Sequence, residues 1–194
     1  LHQTGNVGID AMLAYMQKRA DEKNTTLSCK HTKETLDYLL QTVSEEDVCH
    51  LLSDLIENAL IATQTAEQRK IQIVFGKYQK EAFISVADTG TPFEIDTLHH
   101  YGMHAHTTHK DEGGSGIGLL DIWNLKKKYK ASIQIQEYDA HKDQFTKKIT
   151  LSFNRKNHYV IQSFRYTDIV NTQTRGDLYV IPYEKNTLKG GALT

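Results

Sequence analysis

Leu51-Leu52-Ser53-Asp54-Leu55-Ile56-Glu57-Asn58-Ala59 reads as the middle of a helix. Leu52, Leu55, Ile56 and Ala59 recur at three- and four-residue steps, the spacing of one buried helical face. Upstream, Ser44-Glu45-Glu46-Asp47 is a capping signal, so the helix is expected to run from Glu45 to Ala66. On its other face Asp54 and Asn58 lie four apart and therefore stack. Side-chain oxygens stacked this way can meet one metal ion or one water. Ser53, Asp54, Glu57, Asn58 and Gln64 equally form a plain solvated stripe, and this stretch alone leaves both readings open.

Working downstream, Lys70 to Phe75 and Ala82 to Ala87 alternate as two strands, joined by the polar turn Gly76 to Lys80, and form an antiparallel pair. Alternation through Phe83-Ile84-Ser85-Val86-Ala87-Asp88-Thr89-Gly90 puts Asp88 on the same side as Ile84 and Val86, toward the core. A carboxylate at the edge of an apolar floor is costly unless it accepts hydrogen bonds, and the amino group of adenine is a suitable donor. Asp-Thr-Gly is also simply a good turn after a strand.

From Asp88 to Gly118 the chain is rich in Gly, Thr and His, with a short helix near Glu94 to His100, so a long loop is expected. Such loops tend to be lids or binding segments. The loop closes with Gly113-Gly114-Ser115-Gly116-Ile117-Gly118-Leu119, running into a helix over Leu119 to Tyr129. Glycines let the backbone approach an anion, and a helix start presents unpaired N–H groups. Flexible linkers have the same composition. The run lacks the Lys-Ser/Thr ending of a P-loop and the strand-turn of a dinucleotide fingerprint.

Working upstream, Asn6 to Glu22 reads as an amphipathic helix and Thr26 to His31 as a short strand. Beyond the glycines, Ser132 to Tyr138, Phe145 to Phe153, Tyr159 to Tyr166 and Leu178 to Tyr183 alternate as strands. From Asn186 onward the composition is that of a disordered tail. The order of elements implies an α+β fold: a two-layer sandwich with a helical layer over a mixed, mostly antiparallel sheet.

A net charge of −1 excludes a dedicated nucleic-acid binder, which needs excess Lys and Arg on one face. The cluster Lys126, Lys127, Lys128 and Lys130 ends a helix, where cations complement its dipole. Cys29 and Cys49 have neither zinc-site nor disulfide-scaffold spacing, which suits a reducing cytosol and inert core positions. No apolar run approaches the ~20 residues of a membrane span. His99, His100, His104, His106 and His109 are too irregularly spaced for a metal site and read as solvated or phosphate-facing.

Taken in order, these patches resemble the N, G1 and G2 boxes of the GHKL ATPase superfamily, which includes type II topoisomerases, ninety-kilodalton heat-shock chaperones, mismatch-repair proteins and histidine kinases. Within it, the chain is most similar to the peptide-sensing histidine kinases of Gram-positive bacteria. The likeness is carried by Thr4-Gly5-Asn6 with Ile9-Asp10, Asp54-Leu55-Ile56-Glu57-Asn58-Ala59, Asp88-Thr89-Gly90-Thr91-Pro92-Phe93, Thr107-Thr108-His109-Lys110, and Gly113 to Leu119.

The resemblance implies a Bergerat fold that binds ATP with Mg²⁺. Asn58 would bring its oxygen to the metal, Asp88 would read the adenine amino group, and Gly90 would permit close approach. Gly114, Gly116 and Gly118 would wrap the phosphates with Thr108 and Lys110 nearby, and Thr150 would touch the base side through water. Kinases of this type often carry Asn where this chain has Asp54. In ATP-hydrolysing relatives a Glu there activates water, so Asp54 is a base, a second metal-side ligand or a shorter hydrogen-bonding substitute.

The resemblance further implies that residues 1–22 end the second arm of a phosphoacceptor hairpin, 23–166 form the ATP-binding domain and 167–194 an extension. The acceptor histidine would then lie outside this chain, on a dimeric hairpin. A response regulator would be the downstream partner, and the parent a membrane-anchored bacterial sensor with this domain in the cytoplasm. A free-standing ATPase or anti-sigma-type serine kinase, and a non-catalytic signalling module, are the alternatives.

Overall fold

Asp10 organises the start of the chain. Its carboxylate accepts from the Thr4 N–H and hydroxyl, each at 2.7 Å, and from the Gly5 N–H at 3.2 Å. Gly5 takes φ +86°, a left-handed conformation open to glycine. The chain then enters helix α1 (Val7–Glu22), with Asn6 as N-cap accepting from Ile9 N–H. The computed structural model describes residues 3–100, 117–139, 144–153, 157–171 and 178–183, without the side chains of residues 100 and 117–119.

The remaining elements are β1 (Thr26–Lys30), α2 (Lys33–Leu40), α3 (Glu45–Ala62), β2 (Lys70–Tyr78), β3 (Glu81–Asp88), α4 (Ile95–His100), α5 (Ile117–Tyr129), β4 (Ser132–Glu137), β5 (Lys147–Phe153), β6 (Tyr159–Ser163), α6 (Tyr166–Asn171) and β7 (Leu178–Pro182). Two short helices carry no readable period. In α2 only Leu36 and Leu39 are buried, and in α6 only Ile169. The start of α2 is a capping box in which Thr35, rather than Glu or Gln, answers Thr32. Helix α3 begins at Ser44 as expected but ends at Ala62, the chain tightening into a 3₁₀ turn over Thr63–Thr65.

The β2–β3 hairpin is longer and tighter than the turn expected at Gly76 to Lys80. Gly76, Lys77 and Tyr78 pair with Phe83, Ala82 and Glu81, leaving a turn at Gln79 and Lys80 with Gln79 at φ 55°. Gly76 is required by its neighbour: a Cβ there would lie 2.0 Å from the tip of the Phe83 ring.

Among the described residues, seven strands form one sheet in the order β1-β2-β3-β5-β4-β6-β7. It is mixed, as expected, but the pairings divide evenly into three antiparallel and three parallel, not mostly antiparallel. The parallel partners are flanking strands: β1 on β2, β6 on β4 and β7 on β6. Inward-facing residues alternate along β2, β4, β5 and β6, so one face is buried under helices. Helix α3 packs between α1 and α5 in that layer.

Ile9, Leu13, Met16 and Ala20 of α1 belong to the same core as Leu52, Leu55 and Ile56 of α3. The lysines ending α5 differ in their surroundings. Lys126 is buried with its ammonium 4.8 Å from the Trp123 ring centroid, and Lys128 binds Asp47 at 2.6 Å. Cys29 and Cys49 are free, half-buried thiols packed against the core, and burial pushes Cys29 up to about 11.

Candidate functional site

Strand β3 ends at Asp88, which the alternation delivers to the helical side together with Ile84 and Val86. Asp88 as a residue is only 4% exposed. Its Oδ1 accepts from Gly90 N–H at 2.8 Å, closing an Asx-type turn, so the turn and the buried acceptor are one structure. Lys147, directly opposite on β5, brings its ammonium to 3.6 Å. Burial pushes Asp88 up to about 6, against the pull of Lys147 and of the Gly90 N–H.

Gly90 is held against the end of α3. A Cβ on Gly90 would lie 2.5 Å from the carbonyl carbon of Ala62 and 2.6 Å from its oxygen, and Thr91 N–H donates to that oxygen at 3.3 Å. The close approach that requires glycine is therefore to the α3 backbone. Since Asp54, Asn58 and Ala62 follow at four-residue steps, the contact sets the Asp88 turn at the end of the face that carries the two polar side chains. Thr146, just before β5, fastens the turn from the other side. Its hydroxyl donates to the carbonyls of Gly90 and Asp88, and its N–H donates to Asp88 O.

The polar stripe of α3 is not plainly solvated. Ser53, Asp54, Glu57, Asn58 and Gln64 are all half-buried, and they serve different neighbours. Glu57 pairs with Arg19 of α1 at 2.9 Å, and Gln64 donates to Leu60 O at 2.7 Å. Ser53 and Asp54 face a cleft of about 400 Å³ between α3 and α5, lined also by His50, Asp121, Asn124 and Lys128. Desolvation, with the Asp121 carboxylate nearby, pushes Asp54 up to about 6. At the cleft rim Asp47 is held below the ordinary carboxylate range: burial raises it, but hydrogen bonds with Lys128, Tyr129 and Ser44 outweigh that.

Thr150 does not join this site. Its partners are Ser85 on β3 and Gln134 on β4, a row facing away from the helices, whereas Asp88 and Lys147 occupy the opposite face. Alternation within β5 fixes this, because Thr150 is three residues from Lys147. Thr108, Lys110, Gly114 and Gly116, with His104, His106 and His109, lie outside the described residues. Gly118 falls in the first turn of α5. Lys147 and Thr146 went unassigned in the sequence, since only strand register shows them beside Asp88.

Two oxygen-bearing side chains of the kind a hard cation takes stand one turn apart on α3: Asp54, which lines the cleft, and Asn58, which is half-buried and is not part of that lining. Among the described residues no three His, Cys, Asp or Glu side chains cluster as a metal cage. Mg²⁺ commonly takes one or two protein oxygens and completes its shell with water and phosphate, so this donor set fits it. The buried carboxylate with one N–H partner and a neighbouring ammonium fits a base bearing an amino group.

Comparison with known proteins agrees with the architecture. Among solved structures, the chain resembles the catalytic domain of histidine kinase ThkA in a nucleotide-free form, with a TM-score of 0.60 at 15% identity over 80% of this chain and 95% of that one. It also resembles the mycobacterial sensor histidine kinase MprB, with a TM-score of 0.56 at 12% identity over 75% and 91% of the two chains. At such identities the likeness shows the fold alone. No curated protein matches the sequence. The family model described as the GHKL domain matches residues 43–152, from the residue before the α3 cap to the last residue but one of β5. That span is more than half of the chain and holds the stripe, the Asp88 turn and the strand opposite it, so the protein belongs to the GHKL domain family.

Proposed function

We propose that this chain is the Mg-ATP-binding catalytic domain of a two-component sensor histidine kinase, presenting the γ-phosphoryl group to a histidine on a dimeric helical hairpin outside this sequence. The observation that carries the reading is the buried Asp88 carboxylate locked by Gly90 onto the end of α3, one turn from Asn58. Ionised, Asp88 accepts from an adenine amino group and opposes the carbonyl of guanine. Asn58, with Asp54 as a second oxygen, would hold Mg²⁺, which when bound neutralises phosphate charge and orients the terminal phosphoryl group. The protein's part is orientation and charge, not covalent chemistry.

The Gram-positive peptide-sensing type is the form we favour, on the pattern Thr4-Gly5-Asn6 with Asp10. In such a parent, α1 would join the hairpin to residues 23–166, the domain would face the cytoplasm beneath a membrane anchor, and a response regulator would receive the phosphoryl group. Free, half-buried cysteines suit that compartment. Among the described residues no helix is long and apolar enough to cross a membrane.

The reading is tested by mixing this chain with Mg-ATP and a separately expressed hairpin bearing a histidine. Acid-labile phosphate on the hairpin is expected, lost with Asn58→Ala, which also removes the Mg²⁺ dependence of nucleotide binding. Phosphorylation of serine instead would overturn it. Asp54 supports a second reading: a carboxylate near 6 in an open cleft is suited to activating water. Rapid hydrolysis without phosphoprotein, lost in Asp54→Asn, would favour an ATPase.

A further inference from the structure

The sheet register places charged residues in one transverse row beside the candidate base site. Asp88 of β3 pairs with Lys147 of β5, Lys147 with Glu137 of β4, and Glu137 with Ser163 of β6. Paired positions share a face, so the row runs along the helical side of the sheet. It links the Asp88 turn to the C-terminal strands, whose role the sequence left unassigned.

Glu137 is fully buried, yet both carboxylate oxygens are occupied. Oε1 accepts from the Arg165 Nη2 group at 2.6 Å and from Phe93 N–H at 3.1 Å. Oε2 accepts from Ser163 Oγ at 2.7 Å and Arg165 Nε at 3.1 Å. The same Arg165 nitrogen also donates to Phe93 O at 2.6 Å. Both main-chain polar groups of Phe93 are thus fixed by one buried ion pair. From the other side, Lys147 donates to Thr91 O at 2.6 Å, and its ammonium lies 4.6 Å from the Phe93 ring centroid.

Thr91 to Phe93 is the segment by which the chain leaves the Asp88 turn for α4. Nothing in its own sequence holds it: it is short, partly exposed, and belongs to no helix or strand. We propose that Glu137 and Arg165 are positioning residues for nucleotide-base recognition, holding Thr91–Phe93 so that Lys147 and the Asp88 carboxylate stay aligned. They act through Phe93 and touch no base themselves. The inference rests on the reading of Asp88 as the base-contacting carboxylate.

Arg165→Lys is the informative variant. It keeps a cation beside Glu137, but one ammonium does not reproduce the fork that serves two carboxylate oxygens and the Phe93 carbonyl together. The probe is inosine triphosphate, which carries a carbonyl where ATP carries the amino group. Native protein is expected to prefer ATP over inosine triphosphate, and Arg165→Lys to reduce that preference about tenfold, with inosine triphosphate affinity unchanged. A merely structural role would weaken both nucleotides alike.

An unchanged preference, or a parallel loss of both affinities, would overturn the proposal. Should Arg165→Lys fail to fold, the double variant Glu137→Gln with Arg165→Gln removes both charges at similar volume and is read by the same criterion. Asp88→Asn separates the two failures. If it keeps native preference, the base-site reading falls and this proposal with it. If it loses preference while the Arg165 variants retain theirs, only the positioning role falls.

Discussion

Lys147 faces Asp88 across β3 and β5 at 3.6 Å, both side chains nearly excluded from water. The carboxylate therefore has a cationic neighbour as well as the Gly90 N–H before any base arrives, and the ammonium is anchored to the Thr91 carbonyl. Two buried charges with hydrogen bonds are tolerable; one alone is not.

Lys147→Met should accordingly strand Asp88 and destabilise the fold by about 3–5 kcal/mol, read from urea unfolding. It should also raise the pH needed for tight ATP binding, since Asp88 loses the cation that favours its ionised form. Native stability in this variant would mean the pair contributes nothing.

Gly90→Ala should cost about 1–3 kcal/mol, because its Cβ must displace the Ala62 backbone, from which it would be 2.5 Å away. As the clash lies on the path from Asp88 to Asn58, ATP affinity should fall with stability. A variant as stable as the native protein would show that the α3 end yields freely.

Asp88 and Asp54 each stand at about 6 against an ordinary 3.8. Between about pH 4 and 6 the folded chain then binds more protons than the unfolded chain at these sites, so their contribution to stability falls as pH rises through that window and is flat above it. Asp88→Asn and Asp54→Asn should each flatten the decline, measured as urea midpoints from pH 4 to 7. ATP affinity should move oppositely, rising through about pH 6 as Asp88 ionises. Unaltered pH profiles in both variants would contradict the assignment.

Thr146→Val and Thr150→Val make a matched pair. The first removes the hydroxyl that donates to the Gly90 and Asp88 carbonyls and should cost about 1 kcal/mol and weaken ATP binding. The second changes the opposite face of the sheet and should stay within about 0.5 kcal/mol with ATP binding intact. A reversed order would return Thr150 to the base site.

What the sequence determined by itself is what residues close in the chain decide. Ser44 caps α3 and Asn6 caps α1 because a side-chain oxygen reaches an N–H only three residues on, and alternation put Asp88 beside Ile84 and Val86 for the same local reason. The polar stripe and the Asp88 turn were legible in this way, and their order in the sequence together with the glycine run carried the resemblance to the family. Tertiary structure decided what depends on which strands become neighbours. Only the β3–β5 register sets Lys147 against Asp88 and turns Thr150 away, and only the packing of α3 makes Ala62 the reason for Gly90. The burial of Lys126, the merging of α1 into the core and the Glu137–Arg165 pair likewise join residues distant in the chain. A local pattern specifies the face a side chain occupies; the partner it finds there depends on chain folded back from elsewhere.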